Sequence, residues 1–156
     1  MKAEEYFFIY AYPCAEVLKD LGFINGKTLE YINKKRKENE AISKEELEKI
    51  FKEAFRRIKI IAKEMNKDYW DKEVIKEYFL KRHNEFIDNN DGYYANLGNT
   101  IKELCKVNIG KVTAIKDNIL TVNYNNKERK IVNETLKLNI GDKVSFHFGF
   151  AVEKFQ

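Results

Sequence analysis

A chain of 156 residues that is 44% hydrophobic and 13% aromatic can bury one good core or two small ones, so its 35% of charged residues does not make it disordered. The net charge of +4 is unevenly held: residues 1–105 carry 20 basic and 20 acidic side chains, and residues 106–156 carry 9 and 5, a bias too mild for a nucleic-acid footprint. The longest apolar run, from Tyr6 to Tyr12, falls far short of the ~20 residues of a membrane helix, and Glu4 and Glu5 stand where a signal peptide is basic; the expectation is a cytoplasmic protein with no membrane partner.

The run from Tyr6 to Tyr12 fits a helical turn or a strand, with the helix preferred. From Pro13 to Leu21 the pattern is helical, with Pro13 suited to the first turn and Gly22 to a left-handed stop. Asn25-Gly26 signals a turn before a short polar helix from Thr28 to Lys37, whose apolar side is Leu29 and Ile32. The basic run Lys34 to Lys37 is balanced by Glu38 and Glu40 and reads as a solvated helix end.

Ser43-Lys44-Glu45-Glu46 forms a capping box ahead of Leu47, Ile50, Phe51, Ala54, Phe55, Ile58, Ile61, Ala62 and Met65 at three- and four-residue spacing, which predicts one long helix. Asp68 is placed to cap another helix, from Tyr69 to Ile87, that folds back on it as a hairpin. His83 lies near the apolar stripe of this helix, where a lone histidine is a core or boundary side chain. Turn formers at 88–92 and 98–99 place the domain boundary, with a helical domain of unknown role over 1–100 and a β domain over 101–156.

After Cys105 the period becomes two. Leu120, Val122 and Tyr124 share one strand face, Asn125-Asn126 suits a tight hairpin into Glu128 to Val132, and Asp117-Asn118 makes a similar turn one hairpin earlier. Val144, Phe146 and Phe148 alternate again after Gly141-Asp142, and a last strand runs from Phe150 to Phe155. Five short strands in ~50 residues predict a small closed or nearly closed antiparallel barrel, because closure removes exposed edges. The fold class expected is α+β, helical domain first.

Two blocks of this half carry a resemblance. Cys105-Lys106-Val107-Asn108-Ile109-Gly110-Lys111-Val112 and Gly141-Asp142-Lys143-Val144-Ser145-Phe146-His147-Phe148-Gly149-Phe150-Ala151 resemble the two hallmark segments of the HypC/HupF hydrogenase-maturation chaperones. The resemblance implies an OB-like barrel that binds a client or maturation-factor protein, and it implies that Cys105 and His147 carry iron bearing small ligands during hydrogenase assembly. Gly110 and Gly149 are the motif glycines and become candidates for partner binding. The sequence departs from the family: a helical segment precedes Cys105, Ile109 replaces the proline before the glycine, and Asn123-Tyr124-Asn125-Asn126 replaces an acidic-aromatic-Gly-Gly turn. A divergent relative with a different client is the expectation.

The chemistry of the two residues agrees with this. Thiolate and imidazole suit iron or zinc, and two protein donors leave positions open for small ligands. By alternation His147 shares a face with Ser145 and Lys143, opposite Val144 and Phe146, and is expected to be reachable from the barrel surface. Cys105 is expected where the first strand starts, with Lys106 near enough to favour its thiolate, or else as a buried structural thiol.

Cys14, after Pro13 at a helix N-terminus, is a redox candidate or a small core residue beside Val17 and Leu18. Two cysteines make no disulfide framework and lack the close spacing of a zinc-binding pair. No phosphate-binding glycine loop, His-Glu-x-x-His pair or serine-nucleophile elbow occurs, so the chain is read as non-enzymatic. A thiol enzyme built on Cys14 or Cys105 lacks a third group to orient a base. The alternative is a nucleic-acid-binding OB module, using Tyr124, Phe148 and Phe150 with Lys111, Arg129 and Lys130.

Overall fold

The aromatic run is helical, and it organises the first half of the chain. In the computed structural model, which describes residues 1–156, helix α1 spans Ala3–Ala11, and its Phe7 ring meets Phe51 at 5.5 Å, Phe55 at 4.6 Å and Phe79 at 5.6 Å. A 3-10 turn over Tyr12–Cys14, with Pro13 inside it, leads into α2, Ala15–Asp20, and Gly22 follows at φ +80° as the left-handed stop. Asn25 is the N-cap of α3, Gly26–Lys37, its side chain accepting from the Thr28 N–H at 2.8 Å.

The capping box at Ser43 forms as expected, with Ser43 Oγ accepting from the Glu46 N–H at 3.2 Å. The single long helix does not. It divides into α4, Lys44–Ile50, and α5, Lys52–Met65, at Phe51 with φ −106° and ψ +51°. The break preserves the bonds on either side, from Phe51 N–H to the Leu47 carbonyl and from Phe55 N–H to the Phe51 carbonyl. Periodicity therefore runs through the kink and cannot reveal it.

The next helix starts later than Asp68 suggests. Asp68 Oδ1 accepts from the Trp70 N–H at 2.7 Å in a turn, and Asp71 is the true cap of α6, Lys72–Glu77. The helix continues through a π-helical turn, Tyr78–Arg82, into α7, His83–Asp88. The turn carries Trp70 back to Phe55, 4.8 Å between ring centres, and to Glu48, which its indole N–H reaches at 2.8 Å. Arg82 then bonds Glu64 at 2.6 Å. With Trp70 near the start of α5 and Arg82 near its end, the α6–α7 helix runs alongside α5 in the same sense, where a hairpin was expected.

The chain divides into two compact units, Met1–Glu85 and Phe86–Gln156. In the second, a 3-10 turn at Gly92–Asn96 and helix α8, Asn99–Cys105, precede the strands. These are β1, Val107–Lys116; β2, Ile119–Tyr124; β3, Lys127–Val132; β4, Lys143–His147; and β5, Phe150–Phe155. They hydrogen-bond in the ring order β1-β2-β3-β5-β4, with β4 returning to β1. Every pairing is antiparallel except β3 with β5, which meet in parallel at Val132 and Phe150, so the sheet is mixed where an antiparallel one was expected. The turn residues behave as their chemistry dictates: Asn125 and Asn126 both take positive φ, and so does Asp117. Val112, Leu120, Val122, Ile131, Val144, Phe146 and Ala151 fill the ring, with Tyr124, Leu136 and Leu138 packed against them.

Candidate functional site

The two sequence blocks, separated along the chain by residues 113–140, are neighbours in space. β1 and β4 pair antiparallel, with Val107 opposite His147, Ile109 opposite Ser145 and Gly110 opposite Val144. Cys105, two residues before Val107, and His147, the last residue of β4, therefore lie at the same end of one strand pair.

The surroundings of both differ from expectation. His147 is 1% exposed, and Val107 and Ser145, on its face of the sheet, are also buried. Alternation assigned the side of the sheet correctly, since Val144 and Phe146 point into the ring, but which side a residue takes does not determine whether that side is covered. Cys105 is the final residue of α8 and is 1% exposed, matching the reading of a buried thiol.

Lys106 does not serve the thiol. Its side chain reaches Asp88 at 2.9 Å and Glu103 at 2.8 Å. Hydrogen bonding to Asp88, then to Glu103, raises the ammonium pKa above its ordinary value. Two carboxylates thus offset the charge that was expected to favour a Cys105 thiolate. Lys102 bonds Asn90 in the same segment, so α8 is tied at two points to the chain just before it.

No group of three or more His, Cys, Asp or Glu side chains gathers so as to hold a metal ion. Cys105 and His147 place a soft and a borderline donor at one end of the strand pair, and a metal held by these two would need its remaining positions completed from elsewhere. Both side chains are buried, so a metal would reach them only through local opening.

The remaining candidates occupy definite places. Gly110 is buried in β1. A Cβ there would stand 3.2 Å from the Asn123 carbonyl oxygen, 3.2 Å from Val122 Cβ and 3.3 Å from Phe146 Cε1, so the motif glycine lets β1 approach the core closely. Gly149 is half-buried in the β4–β5 turn with open space around it. Cys14 is half-buried, ends the 3-10 turn and stands before α2 without a side-chain capping bond.

His83 is buried, its ring edge-on to Tyr78 at 5.4 Å, as a core histidine on that helix face should be. Arg57 on α5 is buried as well, which its spacing among Ile58 and Ile61 did not announce. Of the residues suited to stacking nucleic acid, Tyr124 packs its ring edge-on to Phe146 at 4.9 Å, and Arg129 bonds the Phe148 carbonyl. Both are half-buried.

Sequence reasoning missed the turn that follows His147. It extends the alternation of β4 to Phe148, whereas the strand stops at His147 and Phe148 begins a two-residue turn at φ +61°. Gly149 was the available signal. No helix is long and apolar enough to cross a membrane. No protein-family model matches the chain, and no curated protein does.

Proposed function

We propose that the chain is a non-enzymatic assembly factor: an OB-type barrel that docks on a client or maturation-factor protein, in the manner of the HypC/HupF chaperones it resembles. Cys105 and His147 are the donors for iron as cargo. One observation carries the reading. The two blocks that bear the resemblance are hydrogen-bonded neighbours, and the Val107–His147 pair brings their cysteine and histidine to one end of the sheet.

The ring order, with β1 bonded to both β2 and β4 and a parallel contact between β3 and β5, supports the OB assignment. The segment between β3 and β4 has no helix, and it supplies Leu136 and Leu138 to the core instead. A two-donor site suits a carrier, because incomplete coordination by one protein allows transfer to another.

The test is metal retention by the anaerobically purified full chain after loading with Fe(II) or Zn(II), in wild type, Cys105→Ala and His147→Ala. Near-stoichiometric retention by wild type and loss in both variants is the expected result. A wild type that holds no metal, or variants that hold it equally well, would reduce the likeness to one of strand arrangement.

A further inference from the structure

Resting on that reading, we propose that Arg129 is the positioning residue for His147, holding the adjacent β4–β5 turn in a conformation that Phe148 does not keep by itself. The turn has two central residues, Phe148 and Gly149, between His147 and Phe150, which are partners in the β4–β5 ladder. Phe148 carries the positive φ, +61°, and Gly149 is outside the left-handed region. This is the pattern of a type II′ hairpin, whose first central position favours glycine, with the glycine one place late.

The other non-glycine residues at positive φ are Asn39, Asn66, Asn90, Asp117, Asn125 and Asn126. Asn and Asp tolerate this region because a short polar side chain can bond locally, whereas a bulky ring crowds the following carbonyl. Phe148 is the exception, and such a residue persists only where its surroundings over-determine it.

β3 supplies the constraint. Val132 N–H donates to the Gly149 carbonyl at 2.8 Å, and the Arg129 guanidinium donates to the Phe148 carbonyl. The guanidinium is itself held over the buried Phe146 ring, 5.7 Å from its centre. Of the two bonds to the turn, Arg129 makes the one that a side-chain substitution can remove. Because His147 immediately precedes the turn and pairs with both Val107 and Phe150, a turn that relaxes at Phe148 moves the imidazole relative to Cys105.

The experiment compares full-length wild type, Arg129→Met, Arg129→Lys, Phe148→Gly and the Arg129→Met/Phe148→Gly double variant. The readouts are the 1H–13C cross-peak of the His147 ring, assigned with His147→Ala, and Zn(II) retention. Arg129→Met is expected to move the cross-peak and weaken metal retention by about tenfold, the scale on which outer-shell partners act. Arg129→Lys falls between, and Phe148→Gly in the Arg129→Met background restores both readouts, since glycine takes the left-handed conformation unaided.

A cross-peak unmoved by Arg129→Met, or no restoration by the glycine, overturns the proposal. If wild type retains no zinc, the carrier reading fails, while the cross-peak and its rescue still decide the role of Arg129. If Arg129→Met is unfolded, a double variant that folds with the wild-type cross-peak supports the role, and one that stays unfolded rejects it.

Discussion

Val107 stands directly opposite His147 in the β1–β4 ladder, and this pairing sets Cys105, at the close of α8, beside the end of β4 in a covered place. Cys14 is half-buried by contrast. A thiol reagent applied to the native protein should therefore modify Cys14 first. In a Cys14→Ser variant the remaining thiol should react more slowly than Cys14 does in Cys105→Ser, by roughly tenfold or more, as local opening of ~1.4 kcal/mol or above requires. Equal rates for the two single-thiol variants would show that Cys105 is not protected.

Gly110 makes the motif's structural demand measurable. A methyl group there meets a backbone oxygen and two core side chains at 3.2 to 3.3 Å, and backbone cannot swing aside as a flexible side chain can. Gly110→Ala should cost about 1–3 kcal/mol, the usual range for overpacking, and lower the midpoint of thermal unfolding by several degrees. A stability equal to wild type would mean that β1 shifts freely.

The difference between what the residues foretold and what they did not follows from the range of the forces involved. The Ser43 box, the Gly22 stop, the Asn125-Asn126 turn and the alternation of Leu120 and Val122 are local, and each was legible because a few neighbouring residues determine it. The kink at Phe51 and the return of Trp70 to Phe55 involve rings brought together from separate segments, which leaves no periodic trace, and the burial of His147 is likewise invisible to alternation. Phe148 shows a third case. Its local preference opposes its conformation, and only β3, more than fifteen residues upstream, explains why the turn forms there.

Lys106 links the end of α8 to Asp88, and it should control how readily that helix frays. Its side chain is 18% exposed, but Asp88 and Glu103 are 62% and 58% exposed, so solvent screening keeps the contribution near that of a surface pair, about 0.5–1 kcal/mol. Lys106→Met should accelerate amide exchange in α8 and β1's first residues more than elsewhere. The folded-state pKa of Lys106 is raised, so this stabilisation is complete below the unfolded lysine value and is lost as pH rises through the folded one. The wild-type advantage over Lys106→Met should accordingly disappear at strongly alkaline pH, and an advantage unchanged by pH would exclude the ion pairs as its source.

Asp142 gives the opposite pH dependence at the other end of the β1–β4 pair. Its Oδ2 accepts from Lys154 Nζ at 2.8 Å and from the Asn139 N–H at 2.8 Å, and these two bonds, Lys154 first, hold its carboxyl below the ordinary aspartate range. The backbone of the same residue fixes the start of the pairing, since the Val112 N–H donates to the Asp142 carbonyl at 2.9 Å. A depressed folded-state pKa means that the stabilisation is present above the unfolded value and vanishes as pH falls through the folded one. Asp142→Asn keeps the size and an acceptor oxygen but removes the charge, so it should be less stable than wild type near neutral pH, and the gap should close as acidification passes through the depressed folded-state pKa. Urea titrations of both proteins across that range measure it directly. A gap that persists at the acid end would place the effect in the shape of the 139–142 turn, and the carboxylate's partnership with Lys154 would then contribute nothing to holding β4 against β5.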